Sequence, residues 1–521
     1  MELSGVSFFG IIVAMVAYLL GMLTIGFLSS RKNETVGDFY LGGRSLGPFV
    51  TAMSAEASDM SSWLLMGLPG LAYLSGVAEP VWTALGLAVG TYINWLIVAK
   101  RLRRYSLAAG NAITIPQFFS NRFGDKKKIL TLIAALVIVI FFIPYTASGF
   151  AAIGKLFATL FKVDYHLAMI VGAIVVISYT MTGGFLAASM TDLVQSIIMS
   201  IALTIVLFFG INQAGGIGAV MENAKNLAGH LSLTMSHVPD PNNLFAAGTT
   251  TPYGFLTVVS TLAWGLGYFG MPHILLRFMA IEDEKKLTLS RRIASIWVVI
   301  AMGAAILIGM VGLGMSRTGT VGLLENASVS ETIIVEIAHR LSTFGFFPAL
   351  LAGLILSGIM ASTMSTADSQ LLAASSSVSK DILTSFFHVD LPEKKLMNVA
   401  RASLFVIAVI GVILAWNPNS SVFRIVSFAW AGFGGAFGPT MLFALFWRRT
   451  NWQGALAGMI TGGAMVFIWK FVVRPMGGIL KIYELLPAFI LASIAIVLVS
   501  LITPAPEKAV TDDFDKVASM R

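Results

Sequence analysis

Apolar residues in this 521-residue chain gather in long blocks rather than in stripes that alternate with polar positions. Stretches such as 11–28, 129–145 and 489–502 hold no charged residue. A helix needs about 20 mostly apolar residues to cross the hydrocarbon core of a bilayer. On that measure the pattern predicts 13 spanning helices, at 7–28, 48–73, 80–99, 129–158, 166–187, 190–212, 253–279, 293–315, 346–376, 397–416, 422–447, 453–473 and 483–503. Loops are short, apart from a Gly/Asn-rich one at 212–252. The polar tail after Thr503 is too short for a catalytic domain and is expected to be mobile. The first block lacks a basic leader and a small-residue cleavage site, so it reads as a retained span.

Two spans look interrupted. The second holds Ala57-Ser58-Asp59-Met60-Ser61-Ser62, then Gly67, Pro69 and Gly70. The seventh holds Trp264-Gly265-Leu266-Gly267-Tyr268-Phe269-Gly270-Met271-Pro272. Gly and Pro make poor helix interiors. Irregular backbone at membrane depth is tolerated only where it is buried in protein or lines a cavity. The breaks lie five spans apart, and a repeat with an odd number of spans sets its second copy upside down. Paired broken helices in two such halves point to a transporter's binding site. Two unrelated kinks would leave the same trace, because Gly and Pro are common in membrane helices.

Composition fits a membrane protein: 57% of residues are hydrophobic and 12% charged, against about 25% charged in soluble chains. A net charge of +8 would suit a nucleic-acid binder, but its placement does not. Of the 34 Lys and Arg, 25 fall in alternate loops: Arg31, Lys32 and Arg44, then 100–128, 277–292, 380–401, Arg448 and Arg449, and the segment beyond Ala505. Cytoplasmic loops concentrate Lys and Arg, so the N-terminus is expected outside and the C-terminus in the cytoplasm. The absence of cysteine excludes disulfides and thiolate metal sites. The six histidines show no metal-ligand spacing and no phosphate-binding Gly-Lys-Ser/Thr loop occurs, which leaves enzyme chemistry little to stand on.

The ninth span carries Ser362, Ser365, Thr366 and Ser369 at i, i+3, i+4 and i+7, one face of a helix. Neutral oxygens in a row can replace the water shell of a hard monovalent cation; they can equally form a small-residue packing seam. Asp59 lies mid-span, and an intramembrane carboxylate is costly enough to imply function. Asp192 opens the sixth span, where an interfacial, hydrated position is open to it. Glu56, three residues before Asp59, reads as reaching a watery vestibule. Trp63, Tyr145, Trp264 and Tyr268 sit beside polar or flexible backbone, where their ring faces could clasp an amine or simply pack. Trp430 and Trp447 read as packing or interfacial belt residues.

The motifs Leu41-Gly42-Gly43-Arg44-Ser45-Leu46-Gly47-Pro48, Ala57-Ser58-Asp59-Met60, Trp63-Leu64-Leu65-Met66-Gly67-Leu68-Pro69-Gly70, Trp264 to Gly270 and Ala429-Trp430-Ala431-Gly432-Phe433-Gly434 resemble the sodium/solute symporter family, and within it the bacterial sodium/proline symporters. The likeness runs from about residue 10 to about residue 503. It implies an all-α, leucine-transporter-type five-plus-five inverted repeat. Residues 48–212 (spans 2–6) and 253–448 (spans 7–11) would be the halves. The first span with its cytoplasmic loop (1–47), spans 12 and 13 (449–503) and the tail (504–521) would be peripheral. It further implies a sodium site made by Ala57, Met60, Ser362, Ser365 and Thr366, and a substrate site of Ser61, Trp63, Tyr145, Trp264, Tyr268 and Pro272. Asp59 matches an aspartate important for sodium coupling. Asp368-Ser369 resembles a variant of other branches, some of which bind a second sodium, with Asp192 a further member of that possible set. Glu56 and Ser62 stand where the family pattern has glycine, and Met271 where it has glutamine.

The resemblance therefore implies sodium-coupled uptake of L-proline across the inner membrane by alternating access, with Na+ as the co-transported ion and the lipid bilayer as surroundings. It implies no enzyme activity, and neither nucleic acid nor a protein partner. Two alternatives stay open: another small zwitterion or organic acid as substrate, and a membrane-embedded solute sensor on the same fold.

Overall fold

The computed structural model describes residues 3–30, 35–240 and 243–520; Arg31, Lys32 and Arg521 of the basic segments lie outside these. Among the described residues, ten helices are long and apolar enough to cross a membrane. An eleventh is made by Phe255–Gly270 and Pro272–Ala280, which meet at a 46° bend. The two other expected spans are helical but fall short of that standard. Pro48–Ser62 and its continuation to Ser75 carry Glu56, Asp59 and a run of serines. The other lies in the long helix Tyr165–Gln213, which loses helical geometry at Gly184 (φ 65°, ψ −172°); Tyr165–Ser178 within it is apolar. The expected boundary between spans 5 and 6 therefore moves toward the N-terminus, to a residue that adopts positive φ without a Cβ penalty.

The expected breaks are present. Ser61 has φ 47° and ψ −171° inside its helix, and a π-helical turn Trp63–Gly67 follows. In the second broken span a 3₁₀ run, Ala263–Gly270, gives way to extended Met271 before Pro272 opens the next helix. Its glycines serve close approach. A Cβ on Gly265 would lie 2.2 Å from the Gly86 carbonyl oxygen, and one on Gly270 would lie 2.2 Å from that of Phe433. The helices Ala78–Ile93 and Val422–Phe446 thus touch the broken segment backbone to backbone.

Two loop expectations change. The 212–252 connection holds a helix, Ile217–Lys225, and an antiparallel hairpin of Met235–Val238 with Thr249–Pro252. The tail, expected to be mobile, forms the helix Lys508–Ser519 and docks. Phe514 and Val517, on one face at i and i+3, are buried, and the guanidinium carbons of Arg101 and Arg122 stand 5.1 and 5.0 Å from the Phe514 ring centroid. Arg448 donates to Asp515 at 2.9 Å and holds its carboxyl below the usual carboxylate range. The tail looked merely polar because its apolar stripe is only two residues wide.

Gly265→Ala should lower the thermal unfolding midpoint in detergent, because overpacking a tight contact costs about 1–3 kcal/mol. Gly303→Ala, whose added Cβ meets nothing within 4 Å, should leave the midpoint unchanged or raised. Equal midpoints for the two variants would show that the close helix approach contributes nothing to stability.

Candidate substrate and ion site

The two broken helices cross the bundle beside Phe346–Ser376, the helix that carries the hydroxyl face. Unwinding frees carbonyl oxygens, and side chains from other helices bind them. Ser365 Oγ donates to the Ala57 carbonyl at 2.9 Å, and both Ser365 Oγ (3.3 Å) and Thr366 Oγ1 (3.1 Å) donate to the Ser362 carbonyl. Four of the five expected sodium-ligating residues thus share one hydrogen-bonded chain of oxygens. Met60 lies outside that chain: its carbonyl accepts the Trp63 N–H. Everything in this group is a hydroxyl or a carbonyl, the donor set a hard monovalent cation takes.

Next to it, Asp59, Met60, Trp63, Leu87, Tyr145, Trp264, Val426 and Trp430 surround a cavity of about 10 Å³, roughly the room one water needs. Tyr268 Oη donates to Asp59 Oδ2 at 2.5 Å, and Tyr145 Oη donates to the Asp59 carbonyl at 3.2 Å. Ser61 lies on the neighbouring side, with Tyr145, Thr366 and Gln370. The structure therefore brings Ser61, Trp63, Tyr145, Trp264 and Tyr268 together. Pro272 lines neither cavity and instead starts the helix after the break.

Above the pocket is a vestibule of about 600 Å³. Trp264 and Phe423 line it, their ring centroids 5.6 Å apart, and Phe423 stacks on Trp63 at 6.1 Å. This aromatic layer separates vestibule from pocket.

Several residues differ from their sequence reading. Trp430 is no belt residue: its indole N–H donates to the Trp264 carbonyl at 2.8 Å and its ring closes the pocket. Leu87, Val426 and Phe423 also contribute, and as isolated apolar residues within spans they carry no signal in sequence. Glu56 reaches no watery vestibule. It is 1% exposed, and its Oε1 accepts Thr91 Oγ1 at 3.1 Å and Trp95 Nε1 at 3.0 Å. Asp192 is not at a hydrated interface but fully buried, where its Oδ2 accepts Ser54 Oγ at 2.6 Å and pairs with Arg277 at 3.1 Å. Arg277, counted above among the loop cations, is 1% exposed and belongs to this interior cluster with Ser369. Local sequence could not pair Asp192 with Arg277, which are 85 residues apart.

The model of the sodium:solute symporter family matches residues 39–462. The chain belongs to that family. The symporter is 43% identical to a sodium/proline symporter of Haemophilus influenzae over 97% of both chains. It is 42% identical to an osmoregulated proline transporter of Bacillus subtilis, covering 96% of each. Against a sodium/proline symporter of Escherichia coli it is also 42% identical, over 96% of this chain and 95% of that one. Its fold matches a Na+-coupled sialic acid symporter in a substrate-bound outward-open state, with a TM-score of 0.78 at 18% identity, covering 96% of this chain and 99% of the other. Mhp1, a nucleobase-cation-symport-1 family transporter, superposes with a TM-score of 0.51 at 14% identity over 92% and 98%. The symporter is thus a multi-pass membrane transporter with the leucine-transporter-type five-plus-five inverted-repeat fold, and not an enzyme.

Trp430→Phe should keep the ring but orphan the Trp264 carbonyl, a loss of about 1–3 kcal/mol. The expected result is weaker substrate binding, read as a raised half-saturation concentration at normal protein level. Asp192→Asn should reduce stability more than Asp59→Asn, since removing one partner of a buried ion pair costs about 3–5 kcal/mol. At equal folded protein, Asp59→Asn should impair sodium-coupled uptake more. A thermal midpoint untouched by Asp192→Asn would show that the pair carries no stability.

Proposed function

We propose that the symporter takes up L-proline together with sodium by alternating access. Identity above 40% to sodium/proline symporters over nearly the full chain carries this reading. Residues 48–212 and 253–448 act as the inverted halves, with 1–47, 449–503 and 504–521 peripheral. The basic loops 100–128 and 380–401 face the cytoplasm, with the N-terminus outside. On this orientation the vestibule opens outward.

Sodium is held by the carbonyls of Ala57, Met60 and Ser362 and the hydroxyls of Ser365 and Thr366. Binding it displaces the Ser365 and Thr366 protons from their carbonyls, so the ion takes over the bridge between the first broken helix and the hydroxyl helix. Proline enters past Trp264 and Phe423. Its ring lies among Trp63, Tyr145, Trp264 and Trp430, its amine against the ring faces, and its carboxylate at Ser61 and the free amides of the break. The small cavity means that these rings must separate to admit it. Asp59 couples the two ligands: its backbone belongs to the sodium-binding turn, while its side chain and carbonyl hold Tyr268 and Tyr145. Sodium then drives transport to the extent that it favours the state that binds proline.

The test is labelled-proline uptake into proteoliposomes under imposed gradients. An inward sodium gradient should drive uptake; a proton gradient alone should not, since the oxygens of the ion site have no group that titrates near pH 7. Thr366→Val keeps shape and deletes one ligand, so the sodium concentration for half-maximal uptake should rise. Competition by the other amino acids and small organic acids decides the substrate. Close analogues should compete within roughly 10–200-fold, because one methylene in an apolar pocket is worth about 1–3 kcal/mol. A competitor that binds more tightly and is itself transported replaces proline, and absence of all uptake favours a sensor.

A further inference from the structure

The vestibule floor has a third ring besides Trp264 and Phe423, and it comes from the part of the chain outside the two halves. Tyr483 stands in the turn between Trp452–Met476 and Leu485–Ile502 and lines the vestibule. Its ring stacks on that of Trp264, with centroids 5.2 Å apart and planes 19° from parallel. Its Oη donates to the Ser427 carbonyl at 2.7 Å, and its backbone N–H donates to Ser260 Oγ at 2.5 Å. These partners lie on three segments: Trp264 on the 3₁₀ run of the second break, Ser260 on Phe255–Leu262 before it, and Ser427 on Val422–Phe446. We propose that Tyr483 is a positioning residue for substrate entry: it clamps Trp264 over the pocket and must let go before substrate passes.

The argument is one of available room. Besides Tyr483, the Trp264 ring meets Trp63 at 5.7 Å and Phe423 at 5.6 Å, and its carbonyl holds the Trp430 indole N–H. The cavity beneath is about 10 Å³, roughly the room one water needs. A ring that has to move to admit substrate therefore swings toward the vestibule, and Tyr483 stands there. The clamp has a fixed base. Glu484, the next residue, is fully buried, and its carboxylate pairs with Arg474 at 3.1 Å and Lys470 at 3.6 Å, both at the end of the preceding span. Leu485 is buried against Gly434, where an added Cβ would lie 2.7 Å from Leu485 Cδ1. The two peripheral spans thus act as a post, and the phenol is the part that turns. Ser427 lies inside its helix, where its carbonyl also serves the amide four residues on. Breaking the phenol bond leaves that carbonyl with a partner, so the clamp opens at small cost. A contact made only while the lid is shut weights the equilibrium toward the shut state.

This inference rests on the entry route proposed above, past Trp264 and Phe423 from the vestibule side, and the two fail differently. The chain has no cysteine, so Leu87→Cys places a single thiol in the pocket, at a residue that is 3% exposed. A small charged thiol reagent that does not cross the bilayer is applied to right-side-out or inside-out vesicles with sodium on both sides, and the labelling rate is measured. Tyr483→Phe keeps the stacked ring and deletes the bond to Ser427. Its outside rate should rise roughly 2–10-fold, the weight of one protein hydrogen bond, with the cytoplasmic rate unchanged or lower. Tyr483→Ala, which also removes the ring, should raise the outside rate further. An outside rate in Tyr483→Phe equal to that of the parent overturns the clamp and leaves the route standing. Equal rises from both sides also overturn it, because a residue that merely stabilised the fold would loosen both sides alike. Labelling from the cytoplasmic side alone, in every variant, overturns route and clamp together. Should Tyr483→Ala fail to fold, Tyr483→Phe decides alone.

Discussion

Free backbone carbonyls at membrane depth are the constraint on which this structure turns. Lipid offers them no hydrogen bond, so each must be satisfied by protein or by a ligand. Ala57 and Asp59 in the first broken helix, and Trp264 and Tyr268 in the second, each receive a donor from another helix: Ser365, Tyr145, Trp430 and Asn94 respectively. The donors are side chains, which can turn away, rather than fixed backbone amides. An ion or substrate that takes over one of these bonds exchanges partners at small net energy, since a protein hydrogen bond contributes only about 0.5–1.5 kcal/mol net. The same device that makes broken helices tolerable makes them binding sites.

Glycine makes the arrangement compact. Gly265 and Gly270 let neighbouring backbones come within distances that a Cβ would forbid, and Gly267 lies flat against the Trp430 indole. That contact brings the indole N–H within reach of the Trp264 carbonyl. Satisfying the break and shaping the pocket are therefore one act of packing. Ser61 differs, because it holds a positive φ that glycine would adopt without strain. Its hydroxyl accepts the Trp63 N–H at 3.1 Å, which helps hold the break in place.

Charge follows the same logic as backbone. Glu56 is met by neutral donors from Thr91 and Trp95, Asp59 by Tyr268, and Asp192 by Ser54 and a guanidinium. On one face the docked tail adds the Phe514 ring to the partners of two guanidinium groups, Arg101 and Arg122.

Local information was enough for everything that depends on runs and periods. Apolar blocks of spanning length, the two glycine-rich or serine-rich interruptions and the hydroxyl face from Ser362 to Ser369 are all properties of short windows, because lipid imposes one requirement on every residue of a span. Motif likeness added the expected ion and substrate residues; of the substrate set, Tyr268 and Pro272 line neither small cavity. The roles of Trp430, Glu56, Asp192 and Arg277 were decided by packing between helices distant in sequence. A tryptophan in a span is the same letter whether it meets lipid or a free carbonyl, and an arginine near a loop is the same letter whether it meets water or Asp192. Which neighbour it meets depends on how helices cross, and that is settled by contacts such as Gly86 on Gly265, nearly 180 residues apart, whose partners no local window contains.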